Sequence, residues 1–206
     1  MKSVTLFLSL LLCANVAFAA DADLITKIKN KNAEAKNITC TFSQSKHIKM
    51  METPINSNGT LYYESGKMTM IYNEPKDDYL VINDKQFVMM SRGKKLNHNV
   101  KEGSPMRTLR NTLIYCVQGD INAIAQECDA TVGYEKSGNL HIYTLTQKKK
   151  VPRGYSKIVL QFDAATLQLT KMVLYEATGN YTEYTLNKQT LNTTFKATLF
   201  QVPPAK

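Results

Sequence analysis

The sequence has little of what metal centres, enzyme sites and membrane spans require. It contains three histidines and four cysteines, and no pair of them has the spacing of metal ligands. None lies in a recognisable nucleophile context, so we expect neither catalysis nor a bound metal or cofactor. Beyond the first residues, no apolar run reaches the roughly 20 residues needed to cross a bilayer. These absences weigh against an enzyme and against a membrane-spanning protein.

The N-terminal segment has the pattern of a secretory signal peptide. Residues 1–19 contain one lysine, an apolar run and an A-x-A cleavage site before Ala20. We predict cleavage at that site, which leaves residues 20–206 as one exported domain. Cys13 allows a second interpretation, because lipid-modified signals end in a cysteine, although Leu12 is larger than the residue usual before it. An acylated Cys13 would anchor the protein to a membrane.

Acidic residues are also scarce, with 17 Asp and Glu against 26 Lys and Arg and a formal net charge of +9. Basic clusters occur at residues 94–95 and at residues 148–150 with Arg153. Such clusters attract anionic membrane surfaces or acidic partners, and ordinary solvated loops explain them equally well. Nucleic acid is excluded as a partner mainly by the export signal.

Cysteine is scarce enough to allow one disulfide after cleavage. Cys40, Cys116 and Cys128 would then remain in an oxidising compartment. Cys116 and Cys128 are close in sequence and flank a predicted helix, so they are the preferred pair, although sequence alone leaves the connectivity open. Cys40 alternates with Ile38 and Phe42 and is expected to be a small buried hydrophobic residue.

Four short runs between Gly59 and Met90 predict an antiparallel meander, because turn-forming residues separate them. In the second run, a period of two places Met68, Met70 and Tyr72 on one face, with Ile71 as an apolar exception on the polar face. Methionine is flexible and adapts to irregular partners. This face is either an ordinary core or a surface that accepts varied shapes.

The rest of the chain predicts more strands and three short helices. One helix follows Asp23 as its N-cap, and Ser104 with Pro105 opens a second, which ends where Gly119 and Asp120 lead into a third. We predict a long strand over residues 38–49, a polar connection after Arg92, and further strands at residues 131–134, 140–146, 155–162, 168–176, 181–186 and 194–200. This mainly β (α+β) pattern of about eleven strands favours a curved sheet capped by helices.

Several short motifs occur in a fixed order: Phe42-Ser43-Gln44, then residues 59–63, 70–75 and 80–84, followed by the helical pair and the terminal strands. In this order and spacing the chain resembles the LolA-like family of periplasmic outer-membrane lipoprotein carriers over nearly the whole mature chain. The resemblance implies an unclosed antiparallel half-barrel whose concave apolar face is covered by a helical lid. Glu64-Ser65 stands where the family has an Arg-Pro step, which puts the family's lid latch in doubt.

The resemblance also implies which residues form the site. The residues expected to line the acyl-chain cavity are Leu61, Tyr63, Met68, Met70, Tyr72, Leu80, Ile82, Phe87 and Met89. The residues expected on the lid are Leu24, Ile28, Met106, Leu109 and Leu113. By the same resemblance, the partners are lipoproteins or other acylated lipids, an inner-membrane lipoprotein-release transporter and an outer-membrane acceptor, and the carrier is expected to be a monomer.

The implied function is to shield lipoprotein acyl chains in the periplasm on the way from the inner to the outer membrane. Each methylene group taken out of water is worth about 0.8 kcal/mol, so acylated cargo needs such a shield. Release requires a loosely packed cavity, and we therefore expect the concave side to be partly empty. The alternatives are a lipid-anchored acceptor, if Cys13 is acylated, and a lipid-sensing regulatory protein of the same fold.

Overall fold

The computed structural model describes residues 13–102, 104–150, 152 and 154–204. The strands are β1 (Asn37–His47), β2 (Ile55–Glu64), β3 (Lys67–Glu74), β4 (Tyr79–Ile82), β5 (Gln86–Ser91), β6 (Lys94–Asn99), β7 (Ala130–Ser137), β8 (Leu140–Gln147), β9 (Tyr155–Asp163), β10 (Leu169–Glu176) and β11 (Tyr181–Leu191). The helices are α1 (Cys13–Ala33), α2 (Pro105–Gln118) and α3 (Ile121–Glu127), with a 3-10 turn at Ala197–Phe200.

All eleven described strands form one antiparallel sheet in the order β6-β5-β4-β3-β2-β1-β11-β10-β9-β8-β7. The first six strands progress outward from β1 to one edge, and α2 and α3 then carry the chain to the opposite edge. The last five strands return until β11 pairs with β1. Among the described strands, β6 and β7 each have one neighbour, so the sheet is unclosed. The predicted half-barrel with three helices is confirmed.

The helices cover one face of the sheet, which we call the concave face. Side chains at alternate positions meet across neighbouring strands on this face because residues opposite one another in an antiparallel pair share a face. Its main rows are Tyr63, Met68, Ile82 and Phe87; Leu61, Met70, Leu80 and Met89; and Tyr143, Leu160, Met172 and Tyr184. Most of these side chains belong to one core cluster that also includes side chains of α1, α2 and α3.

The opposite face carries a second, smaller core under the C-terminal segment. Tyr79, Val81 and Val88 are buried together there, although they alternate with the concave-face residues. The buried Thr69 hydroxyl donates to the Leu199 carbonyl at 2.9 Å, and the Asn83 amide donates to the Phe200 carbonyl at 3.1 Å. Ile71, the apolar residue on the outer side of β3, lines a cavity beside this core together with Pro203 and Pro204.

Two predictions about strands are wrong: a hairpin across the two-residue turn Arg92-Gly93 was missed, and an apolar segment near the C-terminus covers the sheet without pairing. Residues 94–99 were expected to be a polar connection, but they form the edge strand β6 against β5. Residues 194–200 were expected to be a strand, but Ala197–Phe200 is a 3-10 turn on the outer face. An exposed edge strand needs few apolar residues, and an apolar run can cover a sheet without joining it.

The predicted starts of α2 and α3 are confirmed by their caps. The Ser104 hydroxyl accepts from the Arg107 amide, Pro105 occupies the first helical position, and Gly119 ends α2 in the left-handed region at φ 66°. The Asp120 carboxylate accepts from the Ala123 amide at the start of α3. The expectation for α1 is wrong, because Asp23 lies inside the helix and pairs with Lys27 at 2.6 Å.

The predicted signal peptide lies partly outside the described residues, because the description begins at residue 13. Cleavage before Ala20 and acylation of Cys13 therefore stay predictions. In the described part of the chain, no helix has both the length and the apolar character to span a bilayer.

Candidate functional site

The structure brings the nine predicted cavity residues onto one face of β2 to β5. Register pairs Leu61 with Met70 and Met70 with Leu80, while Met68 pairs with both Tyr63 and Ile82. The seven that are buried, with at most 6% of their surface exposed, are Leu61, Tyr63, Met68, Met70, Leu80, Ile82 and Phe87. The predicted face therefore exists as a continuous apolar surface.

The other two predicted residues lie at the margin of that surface. Tyr72 is partly buried, packs edge-to-face on Phe42 with ring centroids 5.1 Å apart, and donates from its hydroxyl to the Gln44 side chain at 2.9 Å. Met89 shares the face, but 37% of its surface is exposed. Its neighbour Leu96 on β6 is also exposed, at 40%. Met89 thus lies outside the buried core, although Phe87 on the same strand is buried.

The five predicted lid residues all contact the core cluster. Ile28 and Leu113 are buried, while Leu24, Met106 and Leu109 are partly buried against the same cluster. The lid also buries residues that the sequence analysis did not assign: Ile25, Ile114, Val117, Ile121 and Ile124. The helical spacing of the apolar residues in α1, α2 and α3 was the sequence signal that could have assigned these residues to the lid.

Sequence reasoning also missed the second half of the apolar face. Strands β8 to β10 contribute buried side chains to the same cluster, namely Tyr143, Leu145, Ile158, Leu160, Phe162, Leu169, Met172 and Leu174. Burial alternates along β8 and β9 but not along β10, and apolar residues such as Ile142 and Val159 on the other face weaken the period-two signal in the sequence. The candidate site is the whole face rather than β2 to β5 alone.

The concave face is filled by the apolar side chains of the three helices. Ile28, Ile121 and Ile124 are completely buried in the same cluster as Met68 and Leu61. A cavity of about 1080 Å³ lies at the sheet margin beside Tyr79 and the C-terminal Pro203 and Pro204, away from the lid. A smaller cavity of about 290 Å³ lies between α1, the end of α2 and Tyr63 of the concave face. The lid is closed in this structure, and a cavity large enough for acyl chains stays a prediction.

Polar contacts tie the lid to the sheet at one rim of the face. The Arg110 guanidinium on α2 donates to the carbonyls of Gly66 at 3.1 Å and of Asn83 at 3.3 Å, in the β2–β3 and β4–β5 turns. Near the end of α2, the Gln118 amide donates to the Tyr63 hydroxyl at 2.6 Å. These ties lie beside Glu64-Ser65, where the Arg-Pro step of the family is missing. In this chain the arginine is on the lid and its acceptors are on the sheet.

Tyrosine hydroxyls occupy the opposite part of the face. Tyr184 lies within 6.3 Å of the Phe42 ring, and burial raises the pKa of its hydroxyl to about 12. Burial likewise raises the pKa of Tyr72 and of Tyr155 well above the ordinary value of 10.0. These hydroxyls stay neutral at physiological pH, so this part of the described face carries polar groups without charge.

The predicted disulfide is not formed. Cys40, Cys116 and Cys128 are free thiols in the structure. Cys128 follows α3 and its sulfur lies 3.4 Å from the Thr112 hydroxyl, whereas Cys116 is one helical turn beyond Thr112 and completely buried. The sulfur of Cys128 is thus directed to the preceding turn of α2. Cys40 is buried, as predicted.

Burial makes these thiols poor nucleophiles. It raises the pKa of Cys40 from 9.0 to about 12 and also raises the pKa of Cys116 and Cys128. We expect iodoacetamide to alkylate Cys40 in the native protein about a thousandfold more slowly than in the denatured chain, because a rise of its pKa from 9.0 to about 12 lowers the thiolate fraction by that factor. Cys128, which is only partly buried, should react first. Peptide mass spectrometry after timed alkylation measures this order of reaction. A disulfide-linked Cys116–Cys128 peptide in an unreduced digest would contradict the free thiols of the structure.

The described residues hold no group of three or more His, Cys, Asp or Glu side chains placed to bind a metal ion. Chemically, the site is an apolar surface closed by helices and tied at its rim by neutral and cationic donors.

An unclosed antiparallel sheet with a helix-covered apolar face defines a class of half-barrel proteins. Residues 33–203 match the sequence model of the family described as outer membrane lipoprotein carrier protein LolA. The chain therefore belongs to this family. A search of curated protein sequences finds no match.

A comparison with solved structures finds similar chains at low sequence identity. A DUF1329 family protein from Desulfovibrio piger is 12% identical, with a TM-score of 0.48 over 89% of this chain and 96% of that one. A domain assigned to outer membrane lipoprotein sorting from Vibrio parahaemolyticus is 12% identical, with a TM-score of 0.46 over 88% and 96%. A LolA superfamily protein from Nitrosomonas europaea is 10% identical, with a TM-score of 0.41 over 86% and 97%.

Proposed function

We propose that this chain is a periplasmic carrier that shields the acyl chains of lipoproteins between the concave face and the helical lid. Membership of the lipoprotein carrier family supports the cargo class. The observation that carries the proposal is the single apolar cluster shared by the sheet and all three helices, with polar ties from the lid to the sheet at the rim. Breaking few polar contacts would uncover a large apolar surface.

In this mechanism, acyl chains displace the lid rather than fill a preformed void. Lifting the helices exposes apolar surface to water, and inserted hydrocarbon restores the burial at about 0.8 kcal/mol per methylene. Met68 and Met70, both fully buried beneath the lid, can change rotamers to follow chains of different shape. The closed structure is then the unloaded state.

The proposal assigns the protein an inner-membrane release transporter and an outer-membrane acceptor as partners, and no catalytic step. An acylated Cys13 would instead make it a membrane-tethered acceptor. A stable complex with one protein in place of acylated cargo would make it a sensor. The chemistry of the concave face is the same for the carrier, the acceptor and the sensor. The identity of the bound cargo and the mass of the mature N-terminus therefore distinguish these three functions.

Photocrosslinking in living cells tests the proposal. A diazirine amino acid of methionine's size at position 70 should crosslink to several acylated lipoproteins of the periplasm. The same probe at Val88, equally buried but on the outer face of the sheet, is the matched control and should capture none. Crosslinking at position 70 to a single unacylated protein would support the sensor, and equal yields at both positions would contradict the site.

The mature N-terminus provides a second measurement. Intact-mass analysis of the protein purified from the periplasm should give a chain that begins at Ala20. A mass that includes acylated Cys13 would replace the carrier by the anchored acceptor.

A further inference from the structure

We propose that one end of the sheet docks on an anionic membrane surface, with Met50 and Met51 inserted at the bilayer interface. This end, called the basic end below, consists of the described residues of the β1–β2, β8–β9 and β10–β11 connections. Strand direction places all three at the same end, because β1, β8 and β10 run toward it and β2, β9 and β11 leave it. The inference rests on the proposed function for its purpose, since a carrier must approach membranes.

Hydrogen bonds join these three connections into one surface. The Lys49 amide donates to the Asn180 side chain at 3.0 Å, which ties the β1–β2 loop to the β10–β11 turn. The Ala177 amide donates to the Gly154 carbonyl at 3.1 Å, which ties that turn to the β8–β9 loop. Groups on the three loops can therefore contact the same plane together.

The β1–β2 loop presents an apolar tip that the fold itself does not use. Met50 is 94% exposed and Met51 is 48% exposed, and they are adjacent. A turn in which the Met51 amide donates to the Ile48 carbonyl at 2.8 Å holds them at the end of the loop. An exposed methionine gains nothing for folding, whereas the interfacial region of a bilayer can bury it.

Partly buried aromatic rings lie next to this tip on the outer face. The His47 and Tyr181 rings are stacked with centroids 4.2 Å apart, and Tyr181 stacks on Tyr175 at 5.2 Å. The Lys157 ammonium lies 3.9 Å above the Tyr175 ring. Tyrosine is favoured at the level of lipid headgroups because one end of the ring is apolar and the other is polar. These stacked rings are therefore suited to the headgroup level of a bilayer into which Met50 inserts.

The charge of the basic end complements an anionic surface. Lys49, Lys149 and Lys150 are exposed on its loops. Asp129 pairs with Lys148 at 3.0 Å. The three exposed lysines outnumber the two other carboxylates of these loops, Glu176 and the exposed Glu52 beside Met51. Lysines near an anionic bilayer each strengthen binding by about fivefold. An apolar tip within a basic surface fits a lipid bilayer, which offers both environments at the required depths.

Vesicle cosedimentation of the unloaded protein tests the docking. The protein should bind vesicles of phosphatidylcholine mixed with phosphatidylglycerol and bind phosphatidylcholine vesicles weakly. We expect Met50→Ser with Met51→Ser to lower the partition coefficient by about tenfold. We expect Lys149→Ser with Lys150→Ser to lower it by about twentyfold, and added salt to weaken binding of the unmodified protein.

Matched controls separate docking from general attraction of a basic protein. Lys85→Ser with Lys101→Ser removes the same charge near the opposite end of the sheet, and Leu96→Ser removes a 40% exposed apolar side chain from β6. Both controls should bind within about twofold of the unmodified protein. Equal loss in the test and control variants, or binding only to a protein-containing membrane, would overturn the proposal. Acyl-cargo crosslinking at position 70 is read separately, so failure of docking and failure of the carrier function are distinguishable.

Discussion

Gly59→Ala should destabilise the protein by about 3 kcal/mol or more, which is enough to lower Tm by about 10 °C. Gly59 lies in β2 beside a register irregularity with β3. A Cβ atom added there would lie 2.1 Å from the Ile71 carbonyl oxygen and 2.9 Å from the Phe42 ring. The nearest atom belongs to the backbone, so a rotamer change cannot relieve the clash, and β2 and β3 would have to separate.

Gly133→Ala is the matched control, because Gly133 is also a strand glycine. A Cβ atom there would meet only the Thr144 carbonyl at 3.7 Å, an ordinary contact. We expect a stability within about 0.5 kcal/mol of the unmodified protein, since alanine also has less conformational freedom to lose on folding. Thermal unfolding followed by circular dichroism compares the two variants. Similar Tm values for both would contradict the close approach of β2 and β3 at Gly59.

The number of strands was predicted correctly through two errors that cancel. Residues 94–99 lack an apolar pattern, yet β6 forms because β5 offers unpaired backbone groups at the sheet edge. Residues 194–200 have an apolar pattern, yet they cover the outer face instead of joining the sheet. The first outcome depends on a hairpin turn, because Arg92 and Gly93 both have positive φ and lead β5 directly into β6, so a local signal for it was present. The second depends on contacts with Thr69 and Asn83, which are distant in sequence and leave no trace in a local pattern.

The apolar face could be predicted because strand geometry alone determines it. A period of two places Met68, Met70 and Tyr72 together whatever the rest of the fold does, and the register of β2 to β5 confirms that face. Its occupancy could not be predicted in this way. Whether helices or empty space lie above Met70 depends on the path of α1 to α3, which is a tertiary property.

The rim contacts were also beyond local inference. Arg110 is a charged residue among the apolar positions of α2, and the sequence does not indicate a partner for it. Only the fold brings it to the Gly66 and Asn83 carbonyls of two separate turns. The departure at Glu64-Ser65 put the family's latch in doubt, but it did not indicate which residues tie the lid to the sheet in this chain.

Arg110→Ala should make the lid open about thirtyfold more often. The Arg110 side chain is 19% exposed, and its hydrogen bonds to Gly66 and Asn83 are among those by which α2 holds the sheet. Loss of hydrogen bonds from a charged group of this kind is worth about 2 kcal/mol, and the closed state alone would lose it. Hydrogen exchange of the α2 amides should accelerate by that factor, while exchange in β9 and β10 should change little.

Acyl binding should then become tighter, because a ligand that needs the open state gains when the closed state is weakened. We expect the apparent affinity for a fluorescent fatty-acid analogue to rise by up to about thirtyfold in Arg110→Ala. Arg107→Ala is the matched control: Arg107 lies one turn earlier on α2, is 41% exposed and pairs with the exposed Glu102 instead of the sheet. That variant should differ from the unmodified protein by less than about twofold in both measurements. Faster exchange in Arg110→Ala without tighter binding would mean that acyl chains do not enter beneath this lid.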